Sequence, residues 1–482
     1  MITRREAIIL GAGALLTAGC GSASSAGPAG STIASTWSDP AGTGSLRPGP
    51  GERLLARTEL GPARPLERVI ATLAHVTDAH VLDASSPARV PFLDRLGDPF
   101  ASTFRPQETL TARVLAGAAR AITALAPDAV IQGGDLIDND QGNELATALA
   151  VLRGGVVRPG SGRHGYYGVQ LASDPDPFYY RPDLDAPTHP GLLARAVSPF
   201  RTRGLRSPVY PVLGDHDILV AGELKPTDLT RALAVGDEAL WELPPGLSLP
   251  AGTELTAGGS PDGPPLPGLV DEFMAHALAG PKVQVPADPA RREMDAGEVV
   301  GLLRPSAGET LDYHVNIGSE LCLVVLDLAR RAGGSGGLVR PPQAGWLASR
   351  LADAEARGRY VIVVSHQPLA SSEGGESILS LLDGHPHVIA ALAGHTHRNS
   401  IEPRGRYWLI NTASLIDYPQ QARALRVVRT AGGGVAIQTW MLDHTGALGT
   451  ISRQLAYLDA QGGRPKGFAG GRLDRNVTLF RE

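Results

Sequence analysis

The stretch Ala129-Val130-Ile131-Gln132-Gly133-Gly134-Asp135-Leu136-Ile137-Asp138 decides the fold. It opens as a short strand, bounded by Pro127 before it and a glycine pair after it, and it ends at a carboxylate. The same form recurs on both sides. Val69 to Thr77 reads as a strand that stops at Asp78-Ala79-His80. Val209 to Leu213 stops at Gly214-Asp215-His216-Asp217. Tyr360 to Val364 stops at Ser365-His366-Gln367-Pro368, and Val388 to Leu392 at Gly394-His395-Thr396-His397. Leu321 to Asp327 is a further, strongly apolar strand.

Helices lie between these strands. Thr109 to Leu125 places Leu110, Val114, Leu115, Ala118, Ile122 and Leu125 at helical spacing, and Pro127 closes the run. Ala344 to Ala356 is a second helix. Tyr407 to Asn411, Leu425 to Thr430 and Val435 to Met441 read as strands, with Ala431 to Gly434 as a hairpin turn between the last two. Alternating elements followed by a strand-rich end predict an α/β fold, a four-layer α/β/β/α sandwich. Residues 141–206 and 218–310 break the pattern and read as long insertions, a candidate cap over the site; the second is dense in Pro and Gly from Pro244 to Pro267. There is no internal repeat.

The 482 residues, 43% apolar and 19% charged, have an ordinary globular composition and enough length for a full core. The net charge is −5 and no basic run occurs, so no nucleic-acid-binding surface is expected. Scarce lysine beside abundant arginine points to a high-GC, bacterial genome. Arg4 and Arg5 precede an uncharged Gly/Ala-rich stretch from Ala7 to Gly19, too short to span a bilayer. Residues 1–20 thus read as a twin-arginine export signal. It ends in Leu16-Thr17-Ala18-Gly19-Cys20, which resembles a lipobox with its leucine one place further from the cysteine than usual. Cys20 is the expected lipidation site, 21–62 a flexible Gly/Ser/Pro-rich tether, and 63–482 the folded domain. The expected location is the outer face of the cytoplasmic membrane, with secretion or release to the periplasm if Cys20 is not lipidated. Cys322, inside an apolar strand, reads as a small buried residue, and no disulfide is expected.

Five Asp- or His-bearing loops follow the carboxyl ends of strands, where open α/β sheets gather their ligands. Mixed imidazole and carboxylate donors suit Zn, Fe or Mn. Each motif alone is a weak signal; five in order are not. The ordered set resembles the calcineurin-like metallophosphoesterase superfamily over roughly residues 68–443, and is most similar to an exported bacterial subgroup with long insertions.

The resemblance implies two divalent metal ions, one held by Asp78, His80 and His397 and the other by Asp215, His366 and His395, with Asp135 bridging. It implies hydrolysis of a phosphate monoester or diester by a metal-bridging hydroxide, with His216 at the leaving group and Asp217 orienting its imidazole. Asp215 departs from the asparagine usual in the family, and its extra negative charge bears on substrate choice. The alternative is a non-catalytic, metal-containing binding or sensing protein of the cell envelope.

Other polar residues read as structural. Asp138 and Asn139 are expected to cap or support, and His75 to pack in the core. His385 and His387 precede a strand instead of following one. Arg398 is a candidate phosphate contact. Tyr166-Tyr167 and Tyr179-Tyr180 are expected to pack within the first insertion.

Overall fold

The computed structural model describes residues 29–96, 103–162, 165–242, 244, 263, 264, 266, 275–459 and 467–482. Residues 1–20, the expected export signal with Cys20, lie outside the described residues.

Among the described residues thirteen strands build two large sheets. In chain order they begin with β1 (Leu55–Leu60), β2 (Leu66–Val76), β3 (Ala129–Gln132), β4 (Val209–Pro211) and β5 (Tyr313–Ile317). Next come β6 (Leu321–Val325), β7 (Tyr360–Val364), β8 (Val388–Ala393), β9 (Ser400–Arg404) and β10 (Tyr407–Asn411). The last are β11 (Gln421–Thr430), β12 (Val435–Asp443) and β13 (Val477–Arg481). One sheet has the order β1-β13-β12-β11-β2-β3-β4, the other β5-β6-β7-β8-β10-β9. The strands that precede the motif loops are parallel neighbours: β2, β3 and β4 in the first sheet, β7 and β8 in the second. Strands covered on both faces carry unbroken apolar runs, as Leu321–Val325 does.

Side-chain alternation sorts the layers. Leu323 and Val325 of β6, Ile362 and Val364 of β7, and Trp408 and Ile410 of β10 share a core with Leu73, Ile131 and Leu425 of the other sheet. The intervening Cys322, Val324, Val361 and Val363 pack outward on Leu347 and Leu351 and on Ile378 and Leu382. Those four residues belong to two helices of one outer layer, Pro341–Ala356 and Gly375–Asp383. On the other side, α1 (Thr111–Leu125) and α2 (Gly142–Arg153) cover the first sheet through Val114, Leu115, Ile122, Leu145 and Ala148. The fold is the α/β/β/α sandwich the sequence predicts.

Two sequence readings need correction. Residues 31–60 are not a free tether. Ser35–Ser38 and Arg47–Pro50 pair as a hairpin, and β1 pairs in parallel with β13. Polar contacts secure the segment: Thr32 Oγ1 donates to the Met441 carbonyl at 2.9 Å, and Arg57 donates to the Ile401 carbonyl at 2.6 Å while lying over the Trp408 ring. Main-chain pairing of this kind leaves no apolar period to read. The first insertion also begins inside the fold, because α2 is a core helix. Besides β1, three strands of the two sheets escaped the sequence reading: β5, the edge strand β9 with its Pro403, and β13.

Candidate metal centre

The five loops after β2, β3, β4, β7 and β8 bring their side chains together at one edge of the sandwich. Two groups of donor atoms result, each within 4.8 Å of one another: Asp78, His80 and His397, and Asp135, Asp215, His366 and His395. Asp135 reaches both, since its Oδ2 lies 3.0 Å from His366 Nε2 and 3.7 Å from His80 Nε2. His80 Nε2 and His397 Nε2 converge to 3.2 Å, and His397 Nε2 is 3.3 Å from Asp78 Oδ1. Asp215 Oδ1 lies 3.3 Å from both His366 Nε2 and His395 Nδ1. Asp78, His80, Asp135, Asp215 and His366 are buried; His216, His395 and His397 are partly open.

The backbone under this cluster is strained. Asp78, His80, Asp135, His395 and His397 all have positive φ, between 42° and 64°. Residues with a Cβ rarely occupy this region, and such outliers gather where the surrounding structure fixes a functional geometry. The neighbouring glycines provide space more than turning freedom. A Cβ on Gly214 would fall 2.1 Å from Asp135 Oδ1, and one on Gly394 2.2 Å from Thr77 Oγ1. Gly134, φ +94°, combines positive φ with close approach, here to His366 Nδ1 at 2.4 Å.

A ring of polar partners holds the imidazoles. His366 Nδ1 meets the Gly133 carbonyl at 2.8 Å, His80 Nδ1 meets Asp138 Oδ1 at 3.0 Å, and His397 Nδ1 meets Asp417 Oδ2 at 2.5 Å. A third grouping of His80, Asp138 and His216 exists, but Asp138 already holds His80 on one oxygen and Arg89 on the other, so it is a support. His216 Nδ1 meets the Asp138 carbonyl at 2.7 Å. Asp217 does not orient that imidazole, contrary to the sequence reading. Its oxygens accept from the backbone N–H groups of Leu136 at 2.8 Å and Gly214 at 2.9 Å, so it ties the β3 loop to the β4 loop. Burial and the Asp135 charge push the Asp217 carboxyl up to about 7.

The donor set fits divalent metal. Among the described residues His366 Nε2 and Asp215 Oδ2 are buried and without hydrogen-bond partners, and His366 Nε2 looks into the Asp135–Asp215 carboxylates. Burial disfavours charge on His366, yet Asp135, Asp215 and Asp78 hold its imidazole well above the usual value. Burial likewise opposes the His397 cation, while Asp417 and Asp78 raise it to about 9. Metal-free, the carboxylates therefore draw protons onto the rings; metal binding displaces such protons.

No protein-family model and no curated protein sequence matches the chain. Among solved structures, a dimetal phosphatase from Danio rerio aligns over 78% of this chain and 100% of its own, at 12% identity and TM-score 0.41. GAP50, the anchor in the inner membrane complex of Plasmodium, aligns over 78% of this chain and 89% of its own, at 12% identity and TM-score 0.29. A Staphylococcus aureus protein described as a putative 5'-nucleotidase, in complex with alpha-ketoglutarate, aligns over 28% of this chain and 29% of its own, at 10% identity and TM-score 0.21. TM-scores below 0.5 leave function to be read from the side chains.

The residues set aside keep structural roles. His75 is buried against Thr412 Oγ1 at 2.8 Å, and burial lowers its imidazole to about 3. His385 meets Glu355 and His387 the Arg359 carbonyl, away from the motif loops. Arg398 donates to the Gly467 carbonyl. Tyr179 of the first insertion packs edge-on against Phe104, which lies in the segment before α1. Cys322 is a buried free thiol. Sequence reasoning missed Arg89, Arg105, Glu108 and Asp417, all buried around the site. Asp417 follows β10 by six residues, so the strand-then-carboxylate form was its one available signal; the other three lie in unpatterned chain.

Proposed function

We propose that this protein is a metal-dependent phosphoesterase that hydrolyses phosphate monoesters or diesters at a dinuclear site. The observation that carries the reading is Asp135, a single carboxylate within reach of both donor groups, set in strained backbone among buried orphaned donors. Asp78, His80 and His397 would hold one divalent ion, Asp215, His366 and His395 the other, and Asp135 both. Mn, Fe or Zn suits these donors. Two such ions supply Lewis acidity and an activated water.

The chain's own residues do the rest. His216 is 21% exposed at the mouth of the site, with Nδ1 tied to the Asp138 carbonyl. Burial opposes its charge, but Asp135, Asp138 and Asp215 raise its pKa above the usual imidazole value. A protonated His216 can thus give a proton to a leaving alkoxide or stabilise its charge. Gly222 keeps the space beside the ring free, since a Cβ there would sit 2.5 Å from His216 Nε2. Gln367 donates to Asp215 Oδ1 at 2.9 Å and holds that carboxylate toward the histidines.

The test loads the purified protein in turn with Mn, Fe or Zn and assays paired aryl phosphate mono- and diesters, beside Asp135→Ala and His366→Ala. Metal-dependent hydrolysis that both substitutions abolish is expected, and the monoester/diester ratio gives the class. Two bound metals with no turnover on any phosphate ester would replace this reading by a metal-containing binding or sensing role. We also propose export and lipidation at Cys20, a reading supported by the sequence of residues 1–20.

A further inference from the structure

Behind the Asp78–His80–His397 half runs a chain of buried charged groups that extends well beyond the ligand motifs. His80 Nδ1 meets Asp138 Oδ1 at 3.0 Å, and Asp138 Oδ2 accepts from Arg89 Nη1 at 2.5 Å. His397 Nδ1 meets Asp417 Oδ2 at 2.5 Å, and Asp417 Oδ1 accepts from Arg105 Nε at 2.9 Å. The two arms join at Glu108, whose Oε2 accepts from Arg89 Nη2 at 2.7 Å and from the Arg105 backbone N–H at 3.1 Å. Arg89, Arg105, Glu108, Asp138 and Asp417 are each at most 6% exposed.

The other half of the centre is held differently. His366 Nδ1 meets a neutral backbone carbonyl, that of Gly133, and His395 Nδ1 faces Asp215, itself one of the donors. Charged residues buried in such number are a weak source of stability, because desolvation consumes most of the Coulombic gain. A carboxylate on the far nitrogen of a metal-binding imidazole has a definite effect: it fixes the tautomer and the ring plane and makes the near nitrogen more basic. Two such carboxylates, each clamped by its own arginine, serve the two imidazoles whose Nε2 atoms converge at 3.2 Å.

We propose that Arg89, Glu108 and Arg105 form a positioning frame for this half of the metal centre alone, acting through Asp138 on His80 and through Asp417 on His397. The frame is built from the segment between β2 and α1, outside every ligand motif. It rests on the two-metal reading. Its consequence is that the two ions respond differently to its removal.

The test is stepwise Co(II) titration of the metal-free, full-length protein by calorimetry and visible absorption, for the unaltered chain and for Arg105→Gln and Glu108→Gln. One of the two dissociation constants should rise about 10–100-fold in each variant while the other stays unchanged. The Co(II) absorption of only one step should change with it. Equal weakening of both steps would show a general structural role, and unchanged constants would show no role; either overturns the frame. Arg89→Lys carries the same test if Arg105→Gln does not fold, because lysine keeps the charge and loses the forked geometry. An unaltered chain that binds no Co(II) would instead remove the two-metal reading.

Discussion

At the scale of single residues, the candidate site depends on side chains that are absent as much as on those present. Gly214 lies where a Cβ would come within 2.1 Å of Asp135 Oδ1 and 2.4 Å of its backbone nitrogen. Gly214→Ala must therefore move the one carboxylate that serves both donor groups. A displacement near 1 Å in a catalytic constellation costs about 100-fold in rate. Gly214→Ala should lower kcat on the loaded enzyme by about that factor with far-ultraviolet circular dichroism unchanged. Gly345, in an outer-layer helix with nothing within 4 Å of its added Cβ, provides the contrast. Gly345→Ala should leave kcat alone and add about 0.5–1 kcal/mol of stability. Equal kcat in the two variants would remove the steric account of Gly214. The spacing of the sequence made the glycines visible, but not their reason: the atoms they make room for come from loops far away in the chain.

At the scale of elements, the joint between the end of the β3 loop and the segment before residue 295 carries a pH-sensitive pair. Gln141 bridges to Glu293, and the Met294 N–H donates to the Asp140 carbonyl at 2.9 Å. Both Asp140 carboxylate oxygens are buried and find no partner among the described residues, and Glu293 Oε1 likewise has none. Burial, and then the Glu293 charge, push Asp140 up to about 8; burial raises Glu293 to about 7. The folded chain therefore keeps protons that the unfolded chain releases near the usual carboxyl values. Stability from this pair is full below those values and falls as pH rises through 7 and 8. A tenfold difference in proton affinity between the folded and unfolded chain is worth about 1.4 kcal/mol. The urea midpoint should drop from pH 5.5 to pH 8.5, and Asp140→Asn should flatten that fall and raise the midpoint at the upper end. A slope that Asp140→Asn leaves unaltered would assign the pH dependence elsewhere.

At the scale of the whole molecule, the N-terminal segment ties membrane reading and fold together. Thr32 is docked on Met441 and Asn476, and β1 closes the edge of the seven-stranded sheet. Docking already begins at Gly30, whose carbonyl accepts from the Asp443 N–H at 2.7 Å, so under the proposed lipidation only residues 21–29, not 21–62, separate Cys20 from the docked chain, at most about 3.6 Å per residue. Cells expressing the full chain should retain the protein in the membrane fraction, and Cys20→Ala should move it to the soluble exported fraction without changing its thermal midpoint. Equal partition of the two forms would exclude a lipid anchor. Among the described residues no helix is long and apolar enough to cross a membrane.

Local pattern in the chain was enough to read the order of the layers and the loops whose Asp and His side chains cluster at one edge. Strands buried on both faces must be apolar throughout, and a strand that ends in Asp or His places that side chain at the sheet edge; both facts are local and leave a readable period. The strands at 129–132, 360–364 and 407–411 stand within the stretches read from sequence. What each of these Asp and His side chains leans on is set by contacts between loops distant in the chain. Asp217 was assigned to its sequence neighbour His216, but its carboxylate caps backbone of two different loops. Arg89, Glu108, Arg105 and Asp417 meet across as many as 312 residues of sequence separation. The docking of residues 31–60 rests on main-chain hydrogen bonds and a few polar contacts. Such interactions are set by geometry between distant segments, and a single chain read in order carries no period, spacing or composition that encodes them.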